Sequence, residues 1–142
     1  MRIRPMLVAD AEEVAALSEQ LGYPATAAQI AHRLSLLMEQ PNCALFVAED
    51  ADERVVGWIH VVGRVYLDSD PFAQIGGIVV DERSRDQGVG RALLDQVEQW
   101  AVARGYDEMR LWSNVLRAGA HAFYERLGYE PVKTAYVFRK SL

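Results

Sequence analysis

The chain has 142 residues, of which 51% are hydrophobic and 25% charged, a balance that excludes a disordered protein. Its lone cysteine, Cys43, excludes an internal disulfide framework and a cysteine-based zinc site. The net charge is −5, and the longest basic clusters are Arg83 with Arg85 and Arg139 with Lys140, so no nucleic-acid partner is expected.

Taken in chain order, Arg2 to Met6 alternates as an opening strand does. Asp10 with Glu13 fits a capping-box helix start, followed by Val14, Leu17 and Leu21 at helical spacing. Gly22-Tyr23-Pro24 closes that helix, and Thr26 with Gln29 opens a second, striped by Ile30, Leu34, Leu37 and Met38. Pro41-Asn42 breaks it. Ala44–Ala48 and Val55–Val62 read as strands joined by an acidic turn, with Val65–Leu67 extending the second. Asp68–Pro71 is expected to turn, and Ala73–Val80 to form a third, nearly all-apolar strand. Gly76-Gly77 inside it suggests a bulge or a close approach by another backbone or ligand.

Gly90 to Arg104 carries the clearest helical stripe, Leu93, Leu94, Val97, Trp100 and Ala101, and Gly105 stops it. Met109–Trp112 is a short strand, Ala118–Leu127 a helix stopped by Gly128, and Tyr129–Arg139 has room for a final strand or hairpin. The order β-αα-βββ-α-β-α-β(β) reads as a single domain over 1–142. No apolar run reaches the roughly 18–20 residues that span a bilayer. The Met1–Pro5 start lacks a secretory stretch, so a cytoplasmic protein with no membrane partner is expected.

The chemistry concentrates after the third strand, in Ile78-Val-Val-Asp-Glu-Arg-Ser-Arg-Asp-Gln-Gly-Val-Gly-Arg-Ala-Leu-Leu94. A helix start leaves N–H groups without intrahelical partners at the positive end of its dipole. Gly88 and Gly90 let an anion approach, and Arg85 and Arg91 add charge, together suggesting a pyrophosphate cradle. A Walker loop is absent. A Rossmann turn fits poorly: Leu93 holds the third glycine position, and seven residues separate Val80 from Gly88. A glycine-rich helix cap without a ligand is the plainer alternative.

Arg85-Asp-Gln-Gly-Val-Gly90 resembles the Gln/Arg-x-x-Gly-x-Gly/Ala acyl-CoA signature of the GNAT superfamily of N-acetyltransferases. Ala120-His-Ala-Phe-Tyr-Glu-Arg-Leu-Gly-Tyr129 is similar to that family's Ala-x-x-x-Tyr-Glu-x-x-Gly-Phe/Tyr helix. The resemblance implies an α/β (α+β) fold. Its mixed, mostly antiparallel sheet of six to seven strands would be flanked by about four helices, with central strands splayed to admit acetyl-CoA. It implies that the backbone of Ile78, Val79 and Val80 pairs with the pantetheine arm. By the same resemblance, Arg85, Asp86, Gln87, Gly88, Val89, Gly90 and Arg91 hold the pyrophosphate. Ala120 and Tyr124 would lie at the cofactor, with Tyr124 protonating the departing thiolate. The implied activity is direct acetyl transfer to a primary amine. The Ser113-Asn114 and Arg117–Tyr124 stretches lean toward small-molecule acceptors.

Two departures stand beside that resemblance. The family's glutamate base falls fourteen residues before Gly88, at Gln74, and a glutamine cannot take a proton at neutral pH. Ordered water, Asp68, Asp70 and His60 are the remaining candidates. The family's cofactor-contacting asparagine falls at Arg117; Asn114 is either its substitute or a turn residue. Gln74 also raises the alternative of a catalytically silent acyl-CoA-binding module, and a protein or peptide amine is a further alternative acceptor. His32, His60 and His121 lack ligand spacing, so no metal is expected. Trp58 and Trp100 suit a core, Trp112 and Tyr23 an acceptor cleft, and Asp81-Glu82-Arg83 a solvated loop. A homodimer is possible by edge-strand pairing or helix packing.

Overall fold

Five strands form one sheet in sequence order: β1 (Arg2–Pro5), β2 (Cys43–Glu49), β3 (Val55–Tyr66), β4 (Ser69–Val80) and β5 (Met109–Leu111). In this computed structural model, which describes residues 1–142, all five lie in the first of two units, Met1–Leu111. The second unit is Trp112–Leu142. Neighbours from β1 to β4 pair antiparallel, whereas β4 and β5 are parallel. The parallel pair follows from the connection, which crosses over through helix α3 (Val89–Ala103).

Period-2 alternation gives the sheet two apolar faces. Gly57 of β3 lies against Val89 and Leu93 of α3, whose stripe of Leu93, Leu94, Val97 and Ala101 is buried. A second core joins Met6, Val47, Val55 and Val79 to Val14 and Leu17 of α1 (Ala11–Gln20) and Leu34 of α2 (Ala27–Met38). Helix α2 starts as its spacing predicts: Gln29 N donates to Thr26 Oγ1 at 3.1 Å and Thr26 N to Gln29 Oε1 at 3.0 Å.

Helix α1 starts differently from the expected Asp10–Glu13 box. Asp10 closes a 3-10 turn, accepting from Leu7 N at 2.7 Å and from Arg4 at 2.7 and 2.8 Å. Glu13 instead accepts from Val55 N at 2.8 Å, tying α1 to the start of β3. Arg4 also reaches Glu49 at 2.7 Å, so one guanidinium bridges two buried carboxylates. A charge held in such a place needs its partners, because removing one leaves the other uncompensated.

Two further expectations are corrected. The hairpin between β3 and β4 turns at Leu67-Asp68, not over Asp68–Pro71, with Tyr66 opposite Ser69. Pro71 is accommodated in β4 because the register slips there, between Arg64 and Tyr66. The strand or hairpin expected over Tyr129–Arg139 does not form, which reduces six or seven strands to five. The second unit holds helix α4 (Ala118–Arg126), and Val132, Tyr136, Val137 and Phe138 beyond it are 82–92% exposed. High strand propensity does not make a strand without a neighbour to complete its hydrogen bonds.

Arg4 holds the Asp10 carboxyl below its ordinary value of 3.8, with the Leu7 N–H acting in the same sense against the cost of burial. A depressed folded value stabilises the protein above the unfolded value and is lost as pH falls through the folded one. Asp10→Asn should therefore be less stable than the native chain at pH 7 in urea unfolding. The gap should narrow as pH falls below about 4, the unfolded aspartate range.

Candidate active site

The sheet opens between β4 and β5. Their pairing is confined to Ala73, Gln74 and Ile75 against Met109, Arg110 and Leu111. From Gly76 to Val80 the β5-side edge of β4 has no strand beside it, while its other edge continues along β3. The predicted pantetheine-pairing residues Ile78, Val79 and Val80 all lie on this free segment. Its main-chain donors and acceptors form a template for an extended ligand carrying amides.

Gly76-Gly77 carries the bulge that the sequence suggests. Gly76 is the bulge, where the β3 register slips between His60 and Val61. A Cβ on Gly76 would lie 2.7 Å from His60 Nδ1, and one on Gly77 would lie 2.8 Å from the Trp58 ring. The two glycines therefore make room for the side chains of β3.

Beyond Val80 the chain enters a 3-10 turn, Glu82–Ser84, capped by Asp81, which accepts from Arg83 N at 3.0 Å. Asp81 is buried and thus part of the loop's scaffold, contrary to the solvated reading. The Arg83 N–H, ahead of the Arg83 guanidinium, holds its carboxyl below the usual range against burial. Asp86 (φ +62°) and Gly88 (φ +81°) are both left-handed, and α3 begins at Val89 with no side chain capping it. A Cβ at Gly88 would meet nothing within 4 Å, so the space over the helix start is open. The Arg85–Arg91 stretch thus contains a helix start whose first N–H groups no side chain caps, an arrangement able to donate main-chain hydrogen bonds to an anion.

On the other edge of β4, Gln74 accepts through Oε1 from Arg64 Nε at 2.9 Å. A cavity of about 430 Å³ lies beside these strands, lined by the end of α2, Asn42, Cys43, His60 and Arg64. Burial, and secondarily the Arg64 cation, pushes the His60 imidazole below its ordinary value of 6.5, so it is neutral at pH 7. Its Nε2 is buried and without a hydrogen-bond partner. Asp68 and Asp70, the other side chains weighed as bases, do not line this cavity.

The second unit carries Asn114, Ala120 and Tyr124. Asn114 Oδ1 accepts from Leu116 N at 2.9 Å, and its carbonyl meets His121 Nε2 at 2.9 Å, so it shapes the turn before α4. Ala120 lies in the first turn of that helix and is half-buried. Tyr124 is buried, its ring packed between Phe123 and Tyr129. Burial raises its phenol above the ordinary value of 10.0, with the Arg117 charge a smaller opposing influence. Arg64 and Asp81 are the functional candidates that sequence reasoning missed. Arg64 could be found only from the β3–β4 register, which sets it beside Gln74.

Comparison with known proteins identifies the family and the fold. The acetyltransferase (GNAT) family profile matches residues 9–129. An aminoglycoside N(6')-acetyltransferase type 1 of Stenotrophomonas maltophilia is 33% identical over 103 residues, covering 70% of this chain and 67% of that protein. The protein of the same name from Serratia marcescens is 27% identical over 117 residues, 78% of this chain and 80% of its own. Three other acetyltransferase relatives are longer, and the chain spans 28–42% of them. Among solved structures, the aminoglycoside N-acetyltransferase AAC(6')-Iy in complex with CoA superposes with a TM-score of 0.86 at 24% identity, covering 99% of this chain and 95% of that one.

The Tyr124 environment is directly measurable. In a spectrophotometric titration, Tyr124 should ionise above the ordinary tyrosine range near pH 10. That late transition should disappear in Tyr124→Phe.

Proposed function

The chain belongs to the acetyltransferase (GNAT) family, and we propose that it transfers an acetyl group from acetyl-CoA directly to a primary amine of a small molecule. One observation carries this reading: the unpaired Gly76–Val80 edge leads into a helix start whose N–H groups lie open at Gly88. An extended amide-bearing arm ending in a diphosphate suits those two features in that order. The similarity to a fold solved with CoA supports it.

Acetyl-CoA supplies an acyl thioester, whose C–S bond breaks as the amine nitrogen bonds to the acyl carbon. Ile78, Val79 and Val80 hold the arm as an added strand. Main-chain donors from Arg85 to Arg91 hold the diphosphate, with the Arg85 and Arg91 side chains adding charge. The family resemblance gives Asn114 and Ala120 as further cofactor contacts and Tyr124 as the donor of a phenolic proton to the leaving sulfur, which a phenol can do because it stays protonated at neutral pH.

The amine must lose a proton as it attacks. Gln74 cannot accept one, and its carbonyl oxygen already receives the Arg64 N–H. We assign that role to His60, whose imidazole is neutral at pH 7 and forms part of the cavity wall. Gln74 then acts by orienting Arg64. The aminoglycoside acetyltransferases among the relatives support a small-molecule acceptor.

Gly88→Asp should abolish measurable CoA binding in calorimetry, since it places a carboxylate in the phosphate site. Gly88→Asn, which tolerates left-handed backbone and carries no charge, should lose far less. Tyr124→Phe should lower kcat by about 100-fold or more with CoA affinity retained. Saturable CoA binding with no acetylation of any amine would instead identify a silent acyl-CoA-binding module.

A further inference from the structure

We propose that the cavity beside β3 receives the acceptor, and that this acceptor carries an anionic group, a carboxylate, beside its amine. The proposal rests on the acetyl-transfer reading and adds a substrate class to it. The cavity, about 430 Å³, is of small-molecule size. His60 forms part of its wall and abuts Gly76, the first residue of the free β4 edge. The cavity and the acyl-donor edge therefore share one side chain as their partition.

The charge of the cavity then selects its occupant. Its lining includes Arg64 and no aspartate or glutamate. Arg64 is half-buried and oriented by one bond, Nε to Gln74 Oε1, which leaves both terminal amino groups without a protein acceptor. A guanidinium held in that way is a bidentate receptor for a carboxylate. The Arg104 guanidinium, which lies over the Trp100 ring, donates to the carbonyl of Pro41, a lining residue, at 3.4 Å. A polycationic amine would meet the Arg64 guanidinium there and no carboxylate in the lining. An amino acid or similar molecule can place its carboxylate on Arg64 and its amine toward the His60 side of the cavity.

The test compares matched amines by thiol release from acetyl-CoA, with mass confirmation of the product: arginine against agmatine, ornithine against putrescine, and kanamycin as a polycation. The carboxylate-bearing member of each pair should be preferred in kcat/KM by about tenfold or more. Arg64→Leu should remove that preference, bringing the ratio of kcat/KM values within each pair toward one, with the larger rise in KM on the carboxylate-bearing member. Arg64→Lys should restore it in part, which a purely structural role for Arg64 would not do. Preference for kanamycin or the decarboxylated amines, or a ratio unmoved by Arg64→Leu, overturns the proposal and leaves the acetyl-transfer reading standing. No turnover with any amine overturns both.

Discussion

The site depends on how little of β4 pairs with β5. Three residue pairs join the strands, and beyond Ile75 the β4 edge is open. A fully paired strand would have its main-chain groups satisfied and nothing to offer a ligand. A wholly unpaired β4 edge would be an invitation to aggregate. Anchoring at one end and opening at the other keeps the free segment short and directs it toward the helix start at Gly88. The crossover through α3 makes the pair parallel and brings that helix start onto the same strand end, where α/β sheets commonly bind ligands.

Holding the edge open requires the rest of β4 to be rigid. Val79 is buried in the core shared with α1 and α2, and β4 pairs with β3 along nearly its whole length. The Gly76 bulge interrupts that ladder, yet the rings of Trp58 and His60 occupy the spaces its missing Cβ and that of Gly77 leave. The same packing that supports the strand fixes the imidazole of His60 between the open edge and the cavity. Support and chemistry are thus built from the same contacts.

Much of this was legible in the residues. The Thr26–Gln29 cap, the α3 stripe and the left-handed Gly88 follow from short-range rules that the chain obeys locally. The failures share a physical origin, in partners distant along the chain. Asp10 and Glu13 look like a local cap, but Arg4 and the Val55 N–H claim them across the sheet. Tyr129–Arg139 has the composition of a strand, but composition does not supply a neighbour. Asp81 looks solvated within a charged run, yet it is buried as the cap that turns the chain out of β4.

Gln74 shows how register changes the reading of a single residue. In isolation, an amide at the place of a carboxylate looks like a lost catalytic group. Paired across the ladder with Val62 and bonded to Arg64, it becomes the group that orients a guanidinium. A glutamate there would form a salt bridge with Arg64 and neutralise the cation now offered to the cavity. An amide orients the guanidinium without cancelling its charge. The amide therefore leaves a positive charge beside the cavity, which His60, two residues from Val62 on the same strand, also lines.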